Sequence, residues 1–191
     1  ALSGMAARKL MSDTGDLLTG FGFTRKEALD LSSQVQTLAV DLASFTNIEG
    51  GAERASQALT RGLLGERESM KLLGIAINQN TDEWKAMLAD VEATTGATGM
   101  QAKALATLRL AQEQSANALG DFGRTSSSVA NATRTLRASI DDLMEEMGAL
   151  LLPAVRLVLG AVSQLVDWFK SLSPEIKMTI MVVAGLAAAI G

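Results

Sequence analysis

Apolar residues recur along most of the chain at spacings of three and four, and no stretch alternates convincingly with the period of two that a half-buried strand needs. The pattern predicts an all-α protein. Residues up to about Gly20 are helical by composition, and Gly20, Phe21 and Gly22 break the segment. Thr24 followed by Glu27 is a capping-box pair that starts a second helix. There Leu31, Val35, Leu38, Leu42 and Phe45 share one stripe, with Asp30, Gln34, Gln36 and Asp41 off it. This helix should end near Asn47.

Gly50, Gly51, Gly62, Gly65 and Gly74 punctuate the next stretch of chain. Each glycine costs up to ~1 kcal/mol inside a helix, so short helices near 52–62 and 66–73 are expected. Thr81, Asp82 and Glu83 open another helix through Trp84, Met87, Leu88 and Val91, which breaks at Thr94 to Gly96. Met100 to Leu119 is helical again, with Ala104, Leu108, Ala111, Ser115 and Ala118 on one stripe of small residues suited to close packing.

After Gly120 to Gly123 comes the longest helical pattern. Val129, Leu136, Ile140, Leu143 and Met147 lie on one stripe. Off it, Arg137 and Asp141 can pair at i, i+4, while Asp142 and Glu146 repel. Beyond Pro153 the stripe becomes Leu151, Val155, Val158, Val162, Leu165 and Phe169, and the proline predicts a kink. Ser173 before Pro174 reads as an N-cap with proline at the first helical position, opening a last helix that is uncharged from Met178 to Gly191. The expected organisation is therefore 1–123, short helices with glycine-rich turns, and 124–191, a long kinked helix plus an apolar C-terminal helix. Both ends of the sequence read as boundaries within a longer chain.

Composition narrows the function classes. Hydrophobic residues make up 48% and aromatic residues only 4%, with no Tyr, a mixture that favours packed helices over a β-sandwich. There is no Cys and no His, which removes disulfides, thiolate chemistry and imidazole catalysis from this segment and makes a structural zinc site unexpected. The net charge of −4 argues against a specific nucleic-acid interface. Charge is concentrated early: 14 basic and 19 acidic residues precede position 148, and only Arg156, Asp167, Lys170, Glu175 and Lys177 come after it.

Few motifs invite chemistry. Asp141, Asp142, Glu145 and Glu146 would need to converge in a cleft to act as acids or metal ligands, yet on a helix they fall largely on one solvated side. The stretch Gly62 to Ser69 lacks the lysine ending and preceding strand of a phosphate loop. Asn131, Ala132 and Thr133 match a glycosylation sequon on a predicted helix. Trp84 and Trp168 read as core or interface anchors. No catalytic residue, cofactor or metal is expected. For the apolar C-terminal third three readings stand: a buried hairpin, an oligomer interface, or the start of a membrane-active element, the last needing about 20 apolar residues.

Three stretches together resemble the phage tail tape measure protein family. The first comprises Asp41 to Asn47, Ala55 to Leu59, Gly62 to Glu66 and Lys71 to Ile77; the second, Gly120 to Ser126 with Val129 to Asn131. The third comprises Leu150 to Ala154, Leu165 to Phe169 and Leu172 to Glu175, followed by an apolar run. Gly50 and Gly51 replace polar residues frequent in such proteins, and Ser127 stands where Asp is common.

The resemblance implies a structural role as a length template inside the growing tail tube, without enzymatic activity in this segment. It implies tail tube protein, tail assembly chaperones and tail tip proteins as partners, and self-association. It also implies release ahead of the DNA on ejection, with host membrane contact. The implied location is the tube lumen of the virion, and the host cytoplasm during assembly. The stripes Leu31 to Phe45 and Leu151 to Phe169 are the expected helix-packing or assembly contacts. A membrane-active or pore-forming helical protein is the alternative.

Overall fold

The computed structural model describes residues 2–174 and 176–180, and the chain divides into two compact units, Ala1–Leu143 and Met144–Gly191. Every regular element among the described residues is helical.

In the first unit α1 spans Gly4–Gly20, and the Ser3 hydroxyl caps it by accepting from the Ala6 N–H at 3.2 Å. After the turn at Phe21 and Gly22, α2 spans Arg25–Thr46. Its expected capping box is present: the Thr24 N–H donates to Glu27 Oε2 at 2.8 Å, and the Glu27 N–H donates to Thr24 Oγ1 at 3.3 Å. Asn47, in the left-handed region at φ 51°, ends α2 at the position expected from the sequence.

Helix α3 covers Gly51–Leu63, a 3-10 segment covers Arg67–Leu73, and α4 covers Asp82–Thr95 behind the capping Thr81. Helix α5, Gly99–Gln114, stops short of the expected Leu119. From Ser115 onward the chain tightens into turns, with the Ala118 N–H donating to the Ser115 carbonyl at 2.8 Å. Ser115 and Ala118 are nonetheless buried, so the small-residue stripe packs although its helix has ended. The short helix α6, Asp121–Thr125, and a serine turn precede the long helix α7, Val129–Ser171. Ser128 initiates α7 by accepting the Asn131 N–H on its hydroxyl at 3.2 Å.

The core of the first unit lies on the predicted face of α2. Val35, Leu38 and Leu42 pack with Leu18 of α1, Leu59 of α3, Met70 of the 3-10 segment and Leu108 of α5. Each such side chain contributes roughly 1.5–3 kcal/mol through burial. A smaller cluster joins Trp84 and Val91 of α4 to Ala102, Ala106 and Leu110 of α5. Packing in this unit extends past Gly123, because Asn131 and Ala138 at the start of α7 are buried as well.

In the second unit α7 continues without interruption through Pro153 to Ser171. The next helical segment begins at Pro174, with the Lys177 N–H donating to the Ser173 carbonyl at 3.0 Å, and is described as far as Ile180. The expected apolar helix from Met178 to Gly191 therefore lies mostly outside the described residues.

Candidate functional site

The two stripes singled out in the sequence have different fates. Leu31, Val35, Leu38 and Leu42 are buried helix–helix contacts. Phe45 is not: it is 53% exposed, because in the last turn of α2 the face continues but its cover does not. In the second unit Leu151, Val155, Val158, Val162 and Leu165 are all exposed and Phe169 is half-buried. These residues make no buried contact among the described residues, so as an assembly surface they are an unpartnered one.

The face that α7 turns toward the first unit's core is not its apolar stripe. Val129, Leu136, Ile140 and Leu143 are exposed, Val129 at 84%. The packed side carries Asn131, Arg134, Ala138 and Asp142. Asn131 is 2% exposed, Arg134 donates to Asn47 Oδ1 at 3.0 Å, and Asp142 accepts the Gly4 N–H at 2.7 Å. Polar anchoring overrode apolar burial here because each of these groups finds a matched partner on α1, α2 or the turn after α2.

On a helix the exposed positions form one line with a regular repeat. Ile140, Leu143 and Met147 are followed eleven residues on by Leu151, Ala154 and Val158, and eleven further by Val162, Leu165 and Phe169. Leu136, Ala132 and Val129 extend the line backward at the same 3-4-4 spacing. Eleven residues in three turns is 3.67 per turn, close to the helix's own 3.6, so the line stays on one side. The line two residues ahead lies nearly opposite and holds Asn131, Arg134, Ala138, Asp142, Glu145, Ala149, Pro153, Arg156, Gly160, Gln164, Asp167 and Ser171. It contains no large aliphatic residue at all.

The flanks of the apolar line change along its length. Before Met147 they carry Arg137, Ser139, Asp141 and Glu146; after it they carry Leu150, Leu152, Val155, Leu157, Leu159 and Val166, all exposed. The apolar face is narrow early and broad later. Leu150, Leu152, Leu157 and Leu159 lie off both the four-three stripe and the 11-residue line, and are found by the density of apolar residues after Met147. Helix α7 is the one helix among the described residues that is long and apolar enough to cross a membrane, by length and composition.

The other motifs resolve into structure. Asn131 of the sequon is buried in a hydrogen-bond network and offers no accessible amide. Trp84 is buried beneath the Arg67 guanidinium, which lies 4.3 Å from the ring centroid; Trp168 is exposed. Gly62 to Ser69 forms the end of α3 and the turn into the 3-10 segment. Among the described residues no cluster of three or more carboxylates could hold a metal ion.

Open depressions occur on the first unit. One of about 430 Å³ lies between the starts of α1 and α3 and the first turns of α7, where Glu53, Arg134, Arg137 and Asp141 line it. Its mixed charges do not converge on one point. No protein-family model matches this sequence, no curated protein is significantly similar to it, and no solved structure is significantly similar to it.

Proposed function

We propose that the chain is part of a phage tail tape measure protein, acting by packing and assembly as a length template within the tail tube. The observation that supports this most is a glycine-punctuated helical unit followed in the chain by a 43-residue helix with an exposed apolar line. A continuous helix rises about 1.5 Å per residue, so its length is a direct function of residue count. The three family-like stretches lie, in order, from the end of α2 to just past the 3-10 segment, at the α6–α7 junction, and from the apolar half of α7 onward. The partners of this reading are the tube protein, the assembly chaperones and the tip proteins, and the chain leaves the tube ahead of the DNA.

The test is tail length. Insertion of six copies of the 11-residue block 148–158 into the full-length protein preserves the line and adds about 100 Å of helix. Tails measured by electron microscopy should lengthen by that amount, in whole tube rings. Tails of unchanged length would sink the template role.

A second reading is favoured by the exposed, span-length apolar part of α7: a membrane-active role during genome delivery. Vesicle flotation and dye release with the whole chain test it directly. If the chain neither floats with phospholipid vesicles nor releases dye, this reading fails.

A further inference from the structure

We infer that the first turns of α7, Val129 to Leu143, form a releasable latch: they detach from the first unit and dock again while its core stays folded. Among the described residues, neither apolar cluster of that unit includes a residue of α7. Ala138 is the one apolar side chain of these turns that is buried, and it is only a methyl group. The rest of the docking is polar. Asn131 donates to Ser44 and Thr125, Arg134 donates to Asn47, and Asp142 accepts the Gly4 N–H.

Polar and apolar docking differ in what their loss costs. A hydrogen bond exchanged for water changes the net free energy little, whereas exposing buried leucines forfeits the whole hydrophobic gain. Undocking lets water reach Arg134, Asp142 and the Gly4 N–H, and it leaves Val35, Leu38, Leu59 and Met70 covered by one another. The open depression lined by Arg134, Arg137 and Ala138 runs beside these turns, so solvent already reaches the edge of the docking face.

The network on α2 closes behind the departing Asn131. Ser44 still donates to Asp121 Oδ2 at 2.6 Å, and Thr125 Oγ1 still donates to the Asp121 carbonyl at 2.7 Å. Helix α6 therefore stays on α2, and the exposed turn Ser126 to Ser128 serves as the hinge. Release lets the chain pass from a compact to an extended form without unfolding its core, whichever of the two proposed roles it performs.

The chain has no cysteine, so a single buried thiol reports opening by its rate of alkylation. Ala138→Cys reports the latch. Ser56→Cys reports the core, since Ser56 is fully buried on α3 and its hydroxyl has no partner among the described residues. Both are made in the whole chain, and each rate is divided by that of the same thiol in the urea-unfolded protein. Under native conditions Ala138→Cys should react at least ~100-fold faster than Ser56→Cys, with a shallower dependence on urea.

Two further substitutions separate latch opening from the alternatives. Asp142→Ala favours the helix but removes the Gly4 contact, so it weakens the closed form against every open one. It should speed both probes at least about fivefold. Ile75→Val trims the buried core, which is intact whether the latch is open or closed. It should speed Ser56→Cys roughly 2–10-fold and leave Ala138→Cys unchanged. Equal acceleration of both probes by Ile75→Val would mean that α7 leaves only when the whole unit unfolds, and overturns the proposal. So does an Ala138→Cys rate that ignores Asp142→Ala, which would mean that the thiol is reached with α7 docked.

Discussion

The side-chain amide of Asn131, at the start of α7, donates to the Ser44 hydroxyl of α2 at 2.8 Å. The same nitrogen reaches Thr125 Oγ1 at 2.9 Å, and Ser44 in turn donates to Asp121 Oδ2 at 2.6 Å. The Asn131 carbonyl oxygen accepts from Arg134 at 2.7 Å. Both ends of a buried amide are thus satisfied, and α6, α2 and the first turn of α7 are held by one network. Nearby, the Asp41 carboxylate accepts the Gly120 and Phe122 N–H groups at 2.7 and 3.2 Å and so fixes the turn into α6.

Asn131→Leu keeps the volume and leaves Ser44, Thr125 and Arg134 without their buried partner. The expected loss is about 2–4 kcal/mol, since unsatisfied buried polar groups carry their full desolvation cost. Ser44→Ala should cost about 1 kcal/mol, and the two losses should not add, because the residues share one bond. Urea denaturation followed by circular dichroism measures both. An Asn131→Leu protein as stable as the parent would remove the network from the forces that hold this fold.

Two glycines on helices should respond to alanine with opposite signs. At Gly15 in α1 an added Cβ meets only Ser32 Oγ at 3.5 Å, ordinary contact, so Gly15→Ala should stabilise by about 0.5–1 kcal/mol. At Gly62 in α3 the Cβ would overlap the Met70 thioether, and Met70 is fully buried. Gly62→Ala should therefore destabilise by about 1–3 kcal/mol, and a Gly62→Ala, Met70→Ala double variant should lose less than the two single losses combined. Melting temperatures of the four variants decide the matter; equal responses at Gly15 and Gly62 would contradict the packing described.

The contrast between α2 and α7 explains what the sequence could disclose. Helix α2 has a cap, an end signal and a stripe facing the core, so Thr24, Asn47 and Leu31 to Leu42 were all legible from local spacing. In α7 the periodicity was equally clear, but it fixed only which side is apolar, not which side is covered. The covered side was decided by Asn131 reaching Ser44, a contact between distant parts of the chain that no local pattern encodes. The loss of Phe45 from the packed stripe has the same origin, since the end of its cover is a tertiary fact. The early end of α5 reflects turn hydrogen bonds at Ser115 that compete with helix continuation.

Arg67 supplies a third test. Its guanidinium lies over the Trp84 ring, its Nε donates to Thr107 Oγ1 at 3.1 Å, and burial pulls its pKa below the ordinary arginine value. One side chain therefore ties the 3-10 segment to α4 and α5, linking the two apolar clusters. Arg67→Lys keeps the charge but loses the flat stacking surface and the Nε donor, and should cost about 1–2 kcal/mol. Arg67→Met keeps much of the packing but leaves Thr107 unpartnered by it, and should cost a similar amount or more. Denaturation followed by Trp84 fluorescence in a Trp168→Phe background reads both. Full stability of Arg67→Met would show that the guanidinium contributes only its carbon stem.

The capping box of α2 makes stability depend on pH in a defined direction. The Thr24 hydroxyl, first, and the Thr24 N–H, second, hold the Glu27 carboxyl below its ordinary pKa by donating to the ionised form. A carboxylate depressed in the folded state stabilises the fold above its unfolded pKa. That contribution is lost as pH falls through the folded value, where both states become protonated. Glu27→Gln retains an acceptor for Thr24 but no charge at the helix N-terminus. The parent should therefore be more stable than Glu27→Gln near neutrality, and the difference should shrink toward zero as the pH is taken from roughly 7 to roughly 3. Glu27 is solvent-exposed, so the difference should also shrink with added salt. A gap between the two proteins that stayed constant across that pH range would assign the effect to side-chain shape rather than to the ionised cap.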